Sequence, residues 1–181
     1  MNICVFGAAR DELAPGFFAL GEALGETLAR RGHTMVFGGG AHGLMGAAAR
    51  GCTREGGNII GAAPWFFDAP GVLFEHCTEL LRMDTMAERK AVMMERSDAF
   101  LALPGGLGTF DEIFEVLTMR ALGRHDKPIA FLEYDGYWRP AAELIDTAVE
   151  RGFASAAVKQ LYGVFVDPAK CVEYLEREAA L

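Results

Sequence analysis

The sequence predicts an α/β fold in which one parallel sheet carries helices on both faces. Short apolar runs alternate along the chain with longer helical segments, which is the pattern of βαβ units. Two of the runs end in glycine-rich turns, as strands of doubly wound sheets often do. The 181 residues, 51% of them hydrophobic, can bury a core in one domain. We therefore expect residues 1–181 to form a single Rossmann-like domain.

The first half of the chain supplies four of the expected strands. An apolar run from Ile3 leads into a loop at Gly7, and the next helix, 15–31, shows apolar residues at helical spacing before Gly32. A second strand precedes the glycine-rich turn 38–47, which opens a small-residue helix that ends near residue 56. The expected strands are 3–7, 34–37, 58–62 and 77–83. Residues 63–75, with two prolines, are expected to be an irregular, mobile loop.

The second half repeats the alternation. A strand that is apolar after Asp98, and that we expect to be fully buried, leads into the turn 104–109, and further glycines follow the helices of this half. The expected strands are 98–103, 128–133 and 162–166. The expected helices are 85–96, 110–122, 138–151 and 168–177.

Charge and composition exclude several classes of protein. The net charge is −8, and no region is basic, so a nucleic-acid binder is not expected. No apolar run approaches a membrane span, and the start of the chain resembles no signal peptide, so we expect a cytoplasmic protein. The four cysteines and four histidines lack metal-ligand spacing, and the cysteines are expected to pack as small hydrophobic residues.

The first glycine-rich turn matches the pattern GxGxxG at Gly38, Gly40 and Gly43. It could hold a phosphate at a helix N-terminus, or it could be a tight packing turn, and the sequence favours neither. NAD is not expected, because the following strand does not end in a carboxylate for the ribose. His42 lies inside this turn and is the histidine best placed to contact a ligand.

The second turn, Pro104 to Thr109, is a more specific signal. Its glycine amides and the Thr109 hydroxyl, at the start of a helix, suit a phosphate monoester, although Thr109 could equally be a helix cap. No lysine follows the last glycine, so this is not a P-loop. The helix it opens carries Asp111 and Glu112, and carboxylates there suit a part of the ligand that becomes positive.

Arg89 and Lys90 lie one helix and one strand before this turn. An arginine can bind phosphate with two parallel hydrogen bonds, but on spacing alone an exposed helical charge pair is the stronger interpretation.

These residues together resemble a known family. Arg89-Lys90 followed by the run from Pro104 to Glu112 resembles the RK…PGGxGTxxE signature of the LOG family, the cytokinin riboside 5′-monophosphate phosphoribohydrolases, often labelled lysine decarboxylases. The likeness extends to the turn 38–46, to 122–128 and to 135–137, and so covers nearly the whole chain. It implies a nucleotide-binding Rossmann-like domain, a homodimer with sites near the interface, no cofactor, and cleavage of a nucleoside monophosphate into base and ribose 5-phosphate.

The resemblance also implies roles for individual residues. Arg89 and Glu112 match the catalytic pair of the family. The residues that match its nucleotide contacts are Lys90, Gly105, Gly106, Leu107, Gly108 and Thr109. We add as candidate substrate contacts Gly39, Gly40, His42 and Asp111.

The chain departs from the family pattern at several places. The first loop is Gly7-Ala8-Ala9-Arg10, where many members have a Gly-Ser-Ser type sequence, and Leu107 stands where plant members carry Tyr. Residues 63–76 align poorly, so Glu75 is only a candidate for the upstream substrate-binding glutamate of the family. The departures leave the preferred base open between adenine and N6-prenylated adenine.

The chemistry of the residues agrees with such a reaction. Breaking an N-glycosidic bond passes through an oxocarbenium-like ribosyl cation, which a carboxylate such as Glu112 can stabilise while it orients water. Arg89 is expected to hold the phosphate or to polarise the leaving side. Two alternatives remain: a non-catalytic carrier of a nucleotide or a molybdopterin-type cofactor, and a decarboxylase with pyridoxal phosphate on a lysine, for which Lys90 is the candidate.

Overall fold

The computed structural model describes residues 1–180 and contains one seven-stranded parallel sheet between helices. The strands are β1 (Asn2–Phe6), β2 (Thr34–Phe37), β3 (Ile59–Pro64), β4 (Glu79–Met83), β5 (Ala99–Ala102), β6 (Ile129–Leu132) and β7 (Gly163–Phe165). The helices are α1 (Pro15–Arg30), α2 (Gly43–Arg54), α3 (Met86–Glu95), α4 (Leu107–Ala121), α5 (Arg139–Glu150) and α6 (Pro168–Ala179). The expected α/β class, a doubly wound parallel sheet with helices on both faces, is confirmed.

The strand order is β4-β3-β2-β1-β5-β6-β7, and every pairing is parallel. The chain winds outward from β1 in one direction and, after β4, returns to place β5 on the other side of β1. The order therefore reverses between β1 and β5, which in open α/β sheets is where a crevice for ligands forms.

Strand alternation divides the core between the two faces of the sheet. In β1, Ile3 and Val5 pack with α1, α2 and α6, whereas Cys4 and Phe6 pack with α3, α4 and Trp138 at the start of α5. The five central strands β1, β2, β3, β5 and β6 are almost entirely buried, which explains why they are nearly wholly apolar, whereas the edge strands β4 and β7 are partly exposed. Cys4, Cys52 and Cys171 are buried in these clusters, as expected.

Some boundaries differ from those expected. The helix α4 begins at Leu107 and not at Phe110, because Gly106 is extended (φ −93°, ψ −156°) and serves as its N-cap. The N-cap interpretation of Thr109 is therefore wrong. The segment 63–75 is more regular than expected: β3 continues to Pro64 because Pro64 pairs with Met83, a 3₁₀ turn spans Trp65–Phe67, and Leu73 bridges to Gly40.

Among residues 1–180, no helix is long and apolar enough to cross a membrane. No group of three or more His, Cys, Asp or Glu side chains in this range is arranged to hold a metal ion.

Candidate active site

A cavity of about 530 Å³ opens at the carboxyl ends of β1 and β5, where the strand order reverses. Its volume lies in the range of roughly 300–1,000 Å³ that is usual for small-molecule sites. The lining residues come from the loop after β1, the turn after β5 and the adjoining helices: Gly7, Ala8, Ala9, Arg10, Leu13, Phe17, Met45, Phe67, Met86, Arg89, Pro104, Gly105, Gly106, Gly108, Thr109, Asp111, Glu112 and Tyr137. The position and size are those of a site for a small polar molecule with an apolar part.

The N-terminus of α4 forms one wall of this cavity and, within residues 1–180, has no side-chain cap. The first amides of a helix have no partner within the helix, so those of Gly106 to Thr109 are free to bind a ligand. Gly106 and Gly108 add no side chain to this wall, and in the described chain a Cβ atom at either position would meet nothing within 4 Å. An open, uncapped helix N-terminus attracts anions through its amides and its dipole.

At the start of α2, beside the first glycine-rich turn, the backbone amides already have hydrogen-bond acceptors. The Gly43 amide donates to the carboxylate of Asp11 (2.9 Å), and the Leu44 amide donates to the carbonyl of Ala8 (2.8 Å). The hydrogen bond from the Gly43 amide, and next the hydrogen bond with His42, hold the pKa of Asp11 below its usual value. Of the two interpretations of this turn, the structure supports the packing turn, because the amides are already satisfied.

The predicted contacts in this first turn lie outside the cavity lining. Gly39 has a positive φ of 76° and packs close to Ala63, and Gly40 forms the bridge to Leu73. The ring of His42 is engaged on both sides, with Nδ1 2.6 Å from Asp11 and Nε2 2.9 Å from the carbonyl of Gly71. The structure therefore does not bring Gly39, Gly40 or His42 together with the residues of the second turn.

Arg89 and Glu112 meet in the interior of the cavity. Arg89 Nη1 on α3 donates to Glu112 Oε1 on α4 at 2.8 Å, and Arg89 Nε donates to the carbonyl of Ala62 at 3.1 Å. The side chains are only 6% and 8% exposed. The interpretation of Arg89 as part of an exposed charge pair is therefore wrong, because its guanidinium is buried and has two fixed acceptors.

Burial raises the pKa of Glu112, and the adjacent Arg89 guanidinium opposes that shift. Arg89 engages Oε1, and within residues 1–180 no hydrogen bond engages Oε2. The carboxylate thus combines one oxygen fixed by an arginine with one oxygen left for a ligand or a water molecule. This arrangement can stabilise positive charge that develops in the cavity.

Gly38 makes this position of Arg89 possible. A Cβ atom at Gly38 would lie 1.7 Å from Arg89 Nη2 and 2.8 Å from its Cζ. Only glycine at this position leaves room for the guanidinium. The first glycine-rich turn therefore contributes to the site by making room for Arg89, and not by offering its own amides to a ligand.

Lys90 is not among the residues that line the cavity, although it pairs with Asp111, which is. Its Nζ lies 2.9 Å from Asp111 and 2.7 Å from Glu115, and these carboxylates, Glu115 most, raise its pKa. A lysine that forms a Schiff base needs a lowered pKa, so Lys90 does not fit the decarboxylase alternative. Leu107 is also outside the lining, with 84% of its surface exposed, whereas the other predicted residues of 105–109 and Asp111 line the cavity.

Several lining residues were missed in the sequence. The loop after β1, Ala8 to Arg10, lies opposite the second turn, and the Ala8 amide donates to the carbonyl of Pro104 at 3.0 Å. Its position at the carboxyl end of the first strand was the available signal. Phe67 and Met86 form apolar parts of the wall and carry no motif. Glu75 lines a different surface cavity, beside Arg50 and His76.

Comparison with known proteins gives one consistent family. A family model described as "Possible lysine decarboxylase" matches residues 45–175. The probable cytokinin riboside 5′-monophosphate phosphoribohydrolase LOGL2 of Oryza sativa subsp. japonica is 36% identical over 175 residues, covering 97% of this chain and 72% of the relative. The cytokinin riboside 5′-monophosphate phosphoribohydrolase of Rhodococcoides fascians is 39% identical over 159 residues, covering 87% of this chain and 80% of the relative.

Among solved structures, the molybdenum cofactor carrier protein of Chlamydomonas reinhardtii has a similar fold. The TM-score is 0.75 at 23% identity, and the match covers 99% of this chain and 98% of that chain. This likeness supports the fold alone, whereas the family model and the relatives carry the assignment. The chain therefore belongs to the LOG family.

Proposed function

We propose that the chain is a phosphoribohydrolase acting on nucleoside 5′-monophosphates. It cleaves the N-glycosidic bond of AMP, or of an N6-modified AMP such as isopentenyladenosine monophosphate, to free base and ribose 5-phosphate. Relatives that cover most of the chain are named for this activity. The observation that carries the proposal is the buried Glu112 carboxylate in the same cavity as the uncapped N-terminus of α4.

In the proposed complex the 5′-phosphate binds at the N-terminus of α4. The free amides from Gly106 to Thr109, together with the Thr109 hydroxyl, provide donors for the phosphate oxygens. Because Gly106 and Gly108 carry no side chain, the backbone of this turn can approach the phosphate closely. The phosphate thereby fixes one end of the nucleotide, which increases the effective concentration of the sugar near Glu112.

The ribose is then placed with C1′ near Glu112. As the bond from C1′ to the base nitrogen breaks, its electron pair leaves with the base, and positive charge develops on C1′ and the ring oxygen. The free Oε2 of Glu112 stabilises this charge and accepts a proton from the water whose oxygen bonds to C1′. The base takes up a proton from solvent water as it leaves, and Glu112 later returns its proton to solvent, so that one water molecule is consumed overall. Arg89 does not supply the proton, since a guanidinium stays protonated in proteins.

Arg89 has an indirect role in this mechanism. Its bond to Oε1 orients Glu112, and its charge keeps the buried carboxylate ionised against the cost of desolvation. This proposed role differs from the sequence-based expectation, in which Arg89 holds the phosphate or polarises the leaving side.

The apolar part of the cavity suits the base. Leu13, Phe17, Met45, Phe67 and Met86 contribute apolar surface to the wall. Such a wall accommodates adenine and also an apolar N6 substituent, so it supports both candidate substrates.

The proposal also includes a single nucleotide-binding domain, a homodimer and a cytoplasmic location. The family resemblance supports the homodimer. Sedimentation velocity distinguishes the dimer from a 19.6 kDa monomer.

Product analysis tests the activity. The protein is incubated separately with AMP, isopentenyladenosine monophosphate and unphosphorylated adenosine, and free base and ribose 5-phosphate are quantified by chromatography. We expect equal amounts of base and ribose 5-phosphate from at least one monophosphate and much slower release from adenosine. Tight binding of both monophosphates without any release of base would contradict the proposal and favour a nucleotide or cofactor carrier.

A further inference from the structure

Tyr137 makes a contact that the mechanism above does not use. It lies between β6 and α5, lines the cavity, and donates its hydroxyl proton to the carbonyl oxygen of Gly105. Its ring is held edge-on by Phe17 and Trp138, with centroid distances of 6.5 Å and 5.2 Å. The hydroxyl is thus presented to the second turn by a side chain whose position is fixed by packing.

The acceptor of this bond is the peptide that precedes the phosphate site. The carbonyl of Gly105 and the amide of Gly106 belong to the same planar trans peptide, so they point in opposite directions. A bond that fixes the Gly105 carbonyl towards Tyr137 therefore also fixes the Gly106 amide away from Tyr137. This amide is the N-cap amide of α4, the first of the free donors in the turn.

This peptide joins two glycines, the residue type with the greatest backbone freedom. The flanking constraints hold other parts of the turn: Pro104 accepts from the amide of Ala8, and the Thr109 side chain packs against Gly105, where a Cβ would lie 2.0 Å from Oγ1. Within residues 1–180, the Tyr137 hydroxyl is the group that bonds to the Gly105 carbonyl. Without it, the peptide between the glycines can rotate.

We propose that Tyr137 is a positioning residue for the 5′-phosphate, acting through the orientation of the Gly105–Gly106 peptide. This inference rests on the proposed function for the identity of the ligand, a nucleoside 5′-monophosphate. Tyr137 acts on the affinity for the phosphate group and leaves the affinity for the base and ribose unchanged. Burial raises the pKa of Tyr137, so the hydroxyl keeps its proton and remains a donor.

Tyr134 provides a matched control. It lies in the same segment, and its ring packs on the same Phe17 at 4.9 Å, but it is 39% exposed and does not line the cavity. Its hydroxyl lies against Gly16 and not against the second turn. Tyr134→Phe therefore also removes a tyrosine hydroxyl from beside Phe17, but this hydroxyl does not contact the phosphate site.

The test compares Tyr137→Phe and Tyr134→Phe with the wild type. Calorimetry on these proteins with Glu112→Gln added, so that AMP is not consumed, gives Kd for AMP, ribose 5-phosphate and adenosine, and thermal unfolding gives Tm. We expect Tyr137→Phe to raise Kd for AMP and for ribose 5-phosphate by roughly 3- to 10-fold, which is the effect of one lost hydrogen bond. Kd for adenosine is expected to stay unchanged. Tyr134→Phe is expected to match the wild type for all three ligands. Tyr137→4-aminophenylalanine, which keeps a donor at the same place, is expected to restore the affinity for the phosphates.

Three results would overturn the inference. In the first, Tyr137→Phe binds AMP with wild-type affinity. In the second, Tyr137→Phe loses as much affinity for adenosine as for AMP. In the third, the 4-aminophenylalanine variant has the Tm of the wild type but does not recover the affinity for phosphates. Binding requires no turnover, so the two proposals can fail separately. A wild type that releases no base, but binds phosphates in a Tyr137-dependent manner, contradicts the proposed function and leaves this inference standing.

Discussion

Adding one methyl group at Gly38 is expected to disable the site without touching a ligand. The new Cβ would lie 1.7 Å from Arg89 Nη2, whereas real Cβ contacts essentially never fall below 3.0 Å, so the guanidinium must retreat by about 1.3 Å. It cannot do so and keep its bonds to both Glu112 (2.8 Å) and the Ala62 carbonyl (3.1 Å). The expected result of Gly38→Ala is a displaced Arg89 and a Glu112 that is no longer oriented.

The magnitude follows from the bond that is lost. A hydrogen bond to a charged group contributes about 1.5–3 kcal/mol, which corresponds to a loss of kcat/KM of roughly 10- to 100-fold if the whole effect is expressed in the transition state. Overpacking of the buried Arg89 lowers the free energy of unfolding by a further 1–3 kcal/mol or so. The assay is steady-state release of base, with urea unfolding of the same sample.

Gly40→Ala is the matched control for this prediction. Gly40 lies in the same turn as Gly38 but does not line the cavity. Within residues 1–180, a Cβ atom at Gly40 would meet only Met45 Cε, at an ordinary contact distance of 3.8 Å. We expect this variant to keep kcat/KM within about twofold of the wild type, since it changes no bond of Arg89. Equal activities of Gly38→Ala, Gly40→Ala and the wild type would refute the argument that Arg89 needs the space at Gly38.

Three further predictions concern charge. Arg89→Ala leaves Glu112 buried without its partner, so we expect urea unfolding to show a loss of about 3–5 kcal/mol, together with loss of turnover; unchanged kinetic constants would instead indicate that Arg89 has no part in the site. Burial raises the pKa of Glu112, and the reaction needs its ionised form, so the acid limb of the pH profile of kcat/KM is expected above pH 4.5. In Arg89→Gln the charge that opposes this rise is lost, so the acid limb is expected at a still higher pH. The pKa of Glu176 is lowered to about 2, chiefly by its hydrogen bond with Arg31. The ionised carboxylate therefore stabilises the fold above pH 4.5, and this contribution is lost as the pH falls towards 2. The urea midpoint of Glu176→Gln should be lower than that of the wild type at pH 7, and the difference should disappear as the pH approaches 2.

The alternation of strands and helices could be predicted from the sequence because each element has its own local signal. Strands buried on both faces form continuous apolar runs, and the glycines after them mark the turns. The order of the strands could not be predicted, because it depends on pairings between distant segments. The loop Ala8 to Arg10 was missed as part of the site for the same reason, since only the pairing of β1 with β5 brings it to Pro104.

The two glycine-rich turns show the limit of motif reasoning most clearly. Both have several glycines before a helix, and the sequence cannot tell whether the helix amides are already satisfied. At α2 the carboxylate of Asp11, 32 residues before Gly43, occupies the amide of Gly43, whereas α4 has no such cap in the described chain. The proposed role of Glu112 follows from its place in the motif, but its raised pKa comes from burial, which Arg89 opposes, and burial depends on the folded chain.

The most direct test of the account is the comparison of Glu112→Gln with the wild type on AMP and isopentenyladenosine monophosphate. The substitution removes the negative charge and keeps the shape of the side chain, so the phosphate site at α4 is not altered. We expect Kd for both nucleotides to stay within a few fold and release of base to fall by on the order of 10³-fold or more, since the charge that stabilises the ribosyl cation is gone. Release of base within tenfold of the wild-type rate would contradict the assignment of Glu112 as the catalytic carboxylate.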